Sequence, residues 1–163
     1  MNTRLFAVLL LALFLNAPTS LTAQAGQDFE IPAEFMDALR KDVRQLRTQA
    51  MQSAVILQPG QATTFWPIYD EYQAELEDIT QARAELVRDY AVQFATMSDD
   101  EAVELGHRAM ELREERASLV RRYFDRIASE VSGTTAGQFY QVEQQVQLLL
   151  DLKLASELPL IGE

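Results

Sequence analysis

SDDEAVELGHRAMELREERASLVRRYFDRIASEV, residues 98–131, carries a helix start and a long amphipathic run in one unbroken stretch. Ser98-Asp99-Asp100-Glu101 has the spacing of a capping box. In such a box the serine hydroxyl accepts the N–H of the third helical residue, whose carboxylate reaches back to the serine N–H. Acidic groups in the first turn also suit the positive end of the helix dipole. Beyond the box the apolar residues fall into two seams. One holds Val103, Met110, Ala117, Val120, Phe124, Ile127 and Val131; the other holds Leu105, Leu112 and Leu119, spaced by seven. Two seams let one helix touch more than one neighbour. The stretch therefore predicts a helix from Asp99 to about Val131, ended by Ser132-Gly133-Thr134-Thr135.

Working outward, Thr135 reads as the N-cap of a fourth helix over roughly Ala136–Glu157, with Phe139, Val142, Val146, Leu149 and Leu150 apolar and Pro159 as its stop. Upstream, a second helix is expected from about Pro59 to Thr96. Its stripe is Phe65, Tyr69, Tyr72, Leu76, Ile79, Leu86, Tyr90 and Phe94, with Arg83 in the slot between Ile79 and Leu86. Pro67 lacks an N–H and crowds the preceding turn, so it should bend this helix; the alternative is a start near Pro67. A first helix follows Pro32 and runs to about Ile56 on the stripe Met36, Leu39, Val43, Leu46, Ala50 and Leu57. Leu57-Gln58-Pro59-Gly60 breaks it. After residue 25 no segment shows sustained strand alternation. Helices two and three each exceed 30 residues and span on the order of 50 Å. A globule of this size has a radius of gyration of only ~14 Å. The expectation is an all-α fold of four helices, two of them long, forming an elongated bent hairpin and an intertwined antiparallel dimer.

The 163 residues carry 14 Lys+Arg against 25 Asp+Glu, a formal charge of −11, with one His and no Cys. That charge argues against nucleic acid, whose binding needs clustered cations to release counterions, and against an anionic membrane surface. The missing thiols exclude disulfides, Cys-based zinc sites and a Cys nucleophile. Residues 1–25 read as a secretory signal peptide: Arg4, the apolar run Leu5 to Leu15, and the A-x-A site Ala23-Gln24-Ala25. Eleven apolar residues fall short of the ~20 that span a bilayer. Cleavage is expected after Ala25, leaving residues 26–163 as a single helical domain in the periplasm, without membrane insertion. With Arg4 removed, 13 basic residues face 25 acidic ones and the charge is −12.

Candidate chemistry is sparse. Glu104, His107 and Glu111 share one helix face, and Glu-x-x-His is a di-iron spacing, but that architecture needs two such motifs and further glutamates. The acidic clusters Asp70-Glu71, Glu75 with Glu77-Asp78, and Glu114-Glu115 lie near arginines and read as solvated helix faces. No serine or threonine has a histidine partner for nucleophilic catalysis, and no Gly-rich phosphate loop is present. No enzyme activity, metal or cofactor is expected. Arg83 and Arg113 interrupt apolar stripes near the middle of the long helices, either snorkelling and pairing with glutamates or lining a surface that receives a flexible partner. Trp66 lies off the stripe of Phe65, Tyr69 and Tyr72 and is a candidate for a dimer or client contact.

At the two helix junctions stand Leu57-Gln58-Pro59-Gly60-Gln61 and Thr134-Thr135-Ala136-Gly137-Gln138. Each resembles the Leu-Thr-x-x-Gln motif of the exported Spy/CpxP family: the first keeps Leu57 and Gln61, the second Thr135 and Gln138. Signal peptide, length, helix order and motif positions are all similar to that family over essentially the whole chain after residue 25. The motif is structural, with Leu packing on the bundle, Thr capping and Gln bonding across the junction. The resemblance implies an ATP-independent periplasmic chaperone, a cradle-shaped homodimer holding unfolded or aggregation-prone envelope proteins on its concave face. Some relatives instead regulate envelope stress by docking on a sensor kinase's periplasmic domain, and some bind zinc through His-rich segments, which this chain lacks. The best-known relatives are basic on the concave face, whereas this chain is acidic. A helical spacer in the envelope is the remaining alternative.

Overall fold

A computed structural model describes residues 33–158 and 160, with side chains from Val43 onward, Glu157 excepted. The expected signal peptide, the side chains of Met36 and Leu39, and Pro159 lie outside the described residues. Four helices follow in order: α1 (Ala33–Ala54), α2 (Ala62–Gln93), α3 (Asp99–Glu130) and α4 (Gly133–Glu157). A 3₁₀ turn, Phe94–Thr96, closes α2, and no strand occurs among the described residues. Helices α2 and α3 have 32 residues each, hence about 48 Å of length apiece.

The ends follow local chemistry. At the start of α3, Ser98 Oγ accepts the Glu101 N–H at 3.3 Å, and Glu101 Oε2 accepts the Ser98 N–H at 2.8 Å, which completes the capping box. The Ser98 hydroxyl, which also donates to Glu101 Oε2 at 2.7 Å, and then the Ser98 N–H hold the Glu101 carboxyl below the usual range. Between α1 and α2 the chain turns through Gly60 at φ +87°, a left-handed backbone that glycine adopts without Cβ strain. Helix α2 then starts at Ala62, later than Pro59, and runs through Pro67 without a break. A start at Pro67 is thereby excluded.

The start of α4 corrects the sequence reading. Ser132, in extended backbone, is the N-cap: its Oγ accepts the Thr135 N–H at 3.1 Å, while the two hydroxyls pair at 2.8 Å. Serine caps at least as well as threonine. The helix therefore begins at Gly133, and Thr135 lies in its first turn, buried.

Partner pairs set the directions of the helices. Glu71 pairs with Arg126, Glu75 with Arg122 and Asp89 with Arg108, so each step forward on α2 is an equal step back on α3. The two are antiparallel in continuous register. Across α2 and α4 the order runs the same way, Tyr72 to Glu143 and Arg83 to Asp151. Helix α4 is thus parallel to α2 and antiparallel to α3 and α1, with Phe124 against Tyr140 on one side and the Ile56 N–H bonded to Gln138 on the other.

The core fills the end of the bundle where all four helices meet. Met51 of α1 and Val55 just past its end, Phe65, Ile68, Tyr69, Tyr72 and Leu76 of α2, Leu119, Val120, Tyr123 and Ile127 of α3, and Ala136, Phe139, Val142 and Val146 of α4 form one cluster. Aromatic edges lock it: Tyr72 meets Phe139 at 5.1 Å and Tyr123 at 5.4 Å, ring centre to ring centre. Each of these large side chains contributes roughly 1.5–3 kcal/mol by leaving water.

The expected stripes needed turning on three helices. On α1 the buried line is Val43, Arg47 and Met51, continued by Val55 just past its end, and Leu46 faces solvent. On α3 the buried residues are Leu105, Leu119, Val120, Tyr123 and Ile127, while Val103, Met110 and Ala117 of the first seam are exposed. On α4, Leu149 is exposed and Glu143 is buried in the slot between Phe139 and Val146. For α1 and α4 the physical reason is shared. Arg47 and Glu143 occupy core slots because they neutralise one another there, which rotates both helices relative to a purely apolar count.

Candidate functional site

Two neighbouring features stand out: a buried charge cluster and the crevice above it. Glu143 is fully buried, and its Oε2 accepts the Tyr72 hydroxyl at 2.7 Å. The same oxygen takes Arg116 Nη2 at 3.2 Å and stands 3.3 Å from Arg47 Nε, close enough for charge pairing. The Arg47 contact is not aligned as a hydrogen bond, so the Nε–H groups of Arg47 and Arg116 and the Glu143 Oε1 reach no protein partner. Burial, then the Glu143 charge, pushes the Tyr72 and Tyr69 phenols well above their ordinary value. Both stay neutral: Tyr72 donates to Glu143, and the Tyr69 hydroxyl accepts from Gln73 Nε2.

Above the cluster, a crevice of about 90 Å³ opens between α1, α2 and α4. Its walls are Val43, Ile79, Ala84, Val87, Leu150 and Leu154, and its charged residues are Arg47, Arg83, Arg116 and Lys153. Arg83 lies at its edge and pairs with Asp151 at 2.5 Å. A second depression, between α3 and α4, is lined by Arg113, Ala117, Val120, Gln144 and Asp151. Arg116 and Gln147 belong to both depressions. Arg83 and Arg113, far apart in sequence, thus flank adjoining surfaces.

Trp66 is half-buried, its ring edge-on to Phe65 at 4.9 Å and Tyr69 at 5.9 Å. It packs on the aromatic core with one side left towards solvent. The motif residues gather at the junction end of the bundle. Leu57 packs against the core. Gln61 Oε1 accepts the Gln58 N–H at 2.8 Å, and its Nε2 reaches the Val131 carbonyl at 3.5 Å. Gln138 Oε1 accepts the Ile56 N–H at 3.1 Å. Each glutamine therefore ties its own helix to the other junction.

His107 is exposed on α3, and among the described residues no three His, Asp or Glu side chains gather as a metal ion would need. No described helix is long and apolar enough to cross a membrane. Large apolar groups do face solvent: Leu148, Leu149 and Leu152 on α4 are 69%, 59% and 66% exposed, and Val103 and Met110 on α3 are also open.

The sequence reading missed Arg47, Arg116 and Glu143. The signal was present for two of them: Arg47 lies four residues from both Val43 and Met51, and Glu143 four after Phe139 and three before Val146. A charge in a slot of core spacing calls for a buried partner. No family model, curated protein or solved structure matches this chain.

Proposed function

We propose that this chain is an ATP-independent, chaperone-like protein of the cell envelope, binding unfolded or aggregation-prone proteins and working as a homodimer. The exposed row Leu148, Leu149 and Leu152 carries this reading. Leu152 lies four residues after Leu148 and three after Leu149, so it adjoins both on the outer side of α4. Exposed apolar patches mark sites where a protein receives another apolar surface. Arg113 on α3 supplies a charged neighbour for polar groups of a flexible client.

The test is suppression of aggregation of a chemically denatured client, without ATP, at equimolar protein. The expected result is suppression by the wild-type dimer and its loss in the triple Leu148→Ser, Leu149→Ser, Leu152→Ser variant, with sedimentation and melting unchanged. No suppression at several-fold molar excess overturns the reading.

A further inference from the structure

The crevice inverts the charge of the chain. In a protein with 25 acidic residues, its lining holds Arg47, Arg83, Arg116 and Lys153 and no Asp or Glu. The charges beneath it do not balance either. Arg47 and Arg116 both lean on the single carboxylate of Glu143, which leaves one net positive charge in the bundle interior. Arg47 is more than nine-tenths buried, lines the crevice, and has an Nε–H without an acceptor; the Arg116 Nε–H lacks one too. Glu143 meets only part of this charge, and the remaining buried donors stay costly until a further acceptor reaches them. Asp151 does not serve, because it is held by Arg83 and Gln147.

The walls narrow the class of anion. Valine, isoleucine, leucine and alanine side chains make up most of the lining, so a bare inorganic anion would lose its water and gain little. The enclosed part, about 90 Å³, takes only a few carbon atoms, and the crevice is open along one side. An apolar tail can run out past Leu150 and Leu154. We infer that this crevice binds a medium-chain aliphatic monocarboxylate, its carboxylate received by Arg47 and Arg116 and its tail laid along the α2–α4 wall. Arg83 and Lys153 at the rim raise the local potential for the incoming anion. This site lies apart from the exposed leucine row, so it stands or falls independently of the client-binding reading.

The test titrates the full chain with decanoate, decanol, decyltrimethylammonium and acetate, following methyl resonances. Decanoate is expected to saturate and to shift Ile79, Val87 and Leu150 methyls more than those of Leu148 and Leu152. Decanol and acetate should bind at least about tenfold more weakly, and the cationic amphiphile not at all. Arg83→Gln and Lys153→Glu, both at partly open positions, should each weaken decanoate about three- to tenfold with the melting curve retained. Equal affinity for decanol and decanoate, equal affinity for acetate, shifts centred on Leu148 and Leu152, or no saturable binding would each overturn the assignment.

Discussion

Arg47 of α1 and Glu143 of α4 stand 3.3 Å apart, Nε to Oε2, with both side chains removed from solvent. Neither has a reason to be inside without the other. Glu143→Gln leaves the buried Arg47 and the partly buried Arg116 guanidinium groups without their carboxylate and should cost about 3–5 kcal/mol in urea unfolding. The double variant Arg47→Met, Glu143→Gln should cost less than the two single changes added, because one of the stranded cations is gone. Strict additivity would show that the two groups do not interact.

Acid should weaken the α2–α3 seam. Glu71 is held below the ordinary 4.5 by its hydrogen bond to Arg126, Glu75 by the Tyr123 hydroxyl and then Arg122, and Glu101 by Ser98. A depressed folded pKa means that the unfolded chain binds protons first, so stability rises with pH across that window. The contribution is complete above about 4.5 and is lost as pH falls through the lower folded values. These groups are exposed, so salt screening keeps the effect small. Glu71→Gln with Glu75→Gln should flatten the slope of stability against pH between pH 5 and 3, by about a third or more; an unchanged slope refutes the assignment.

Glycines should respond with opposite signs. Gly60 sits at φ +87° with open space where a Cβ would go, so Gly60→Ala carries only the conformational penalty, about 1–2 kcal/mol. Gly137 lies in the interior of α4, also with open space, and Gly137→Ala should stabilise by about 0.5–1 kcal/mol. Thermal melts of the two variants should move in opposite directions.

Gln138→Ala removes the acceptor of the Ile56 N–H. A global loss of about 0.5–1.5 kcal/mol is expected. The sharper readout is hydrogen exchange, which should speed up at Ile56 while the Val55 amide, bonded to the Met51 carbonyl, is spared.

The helices were legible because their punctuation is local. The Ser98 box marks α3 to the residue, and Gly60 marks the α1–α2 turn. Facing was harder to read. Leu148, Leu149 and Leu150 follow one another on α4, so apolarity alone does not say which faces inward, and only Leu150 packs against the core. Leu46 and Arg47 exchange expected places because burial of a charge depends on a partner almost a hundred residues away, which no local window contains. Arg83 was visible as an interruption of a stripe. Beyond the core spacing of Arg47, Arg47 and Arg116 carry no local mark that sets them apart from solvated arginines; only Glu143, placed between them by the fold, does so.

The connectivity of α1 governs when it can dock. Helices α2 and α3 are joined by one short turn, and their ion pairs close as soon as both are made. The Ile56–Gln138 bond instead spans 82 residues, and the Arg47–Glu143 pair spans more. Loop closure of that length comes late in folding. During synthesis, Arg47 must therefore wait without its carboxylate until α4 arrives. The last helix made is the one that completes the first.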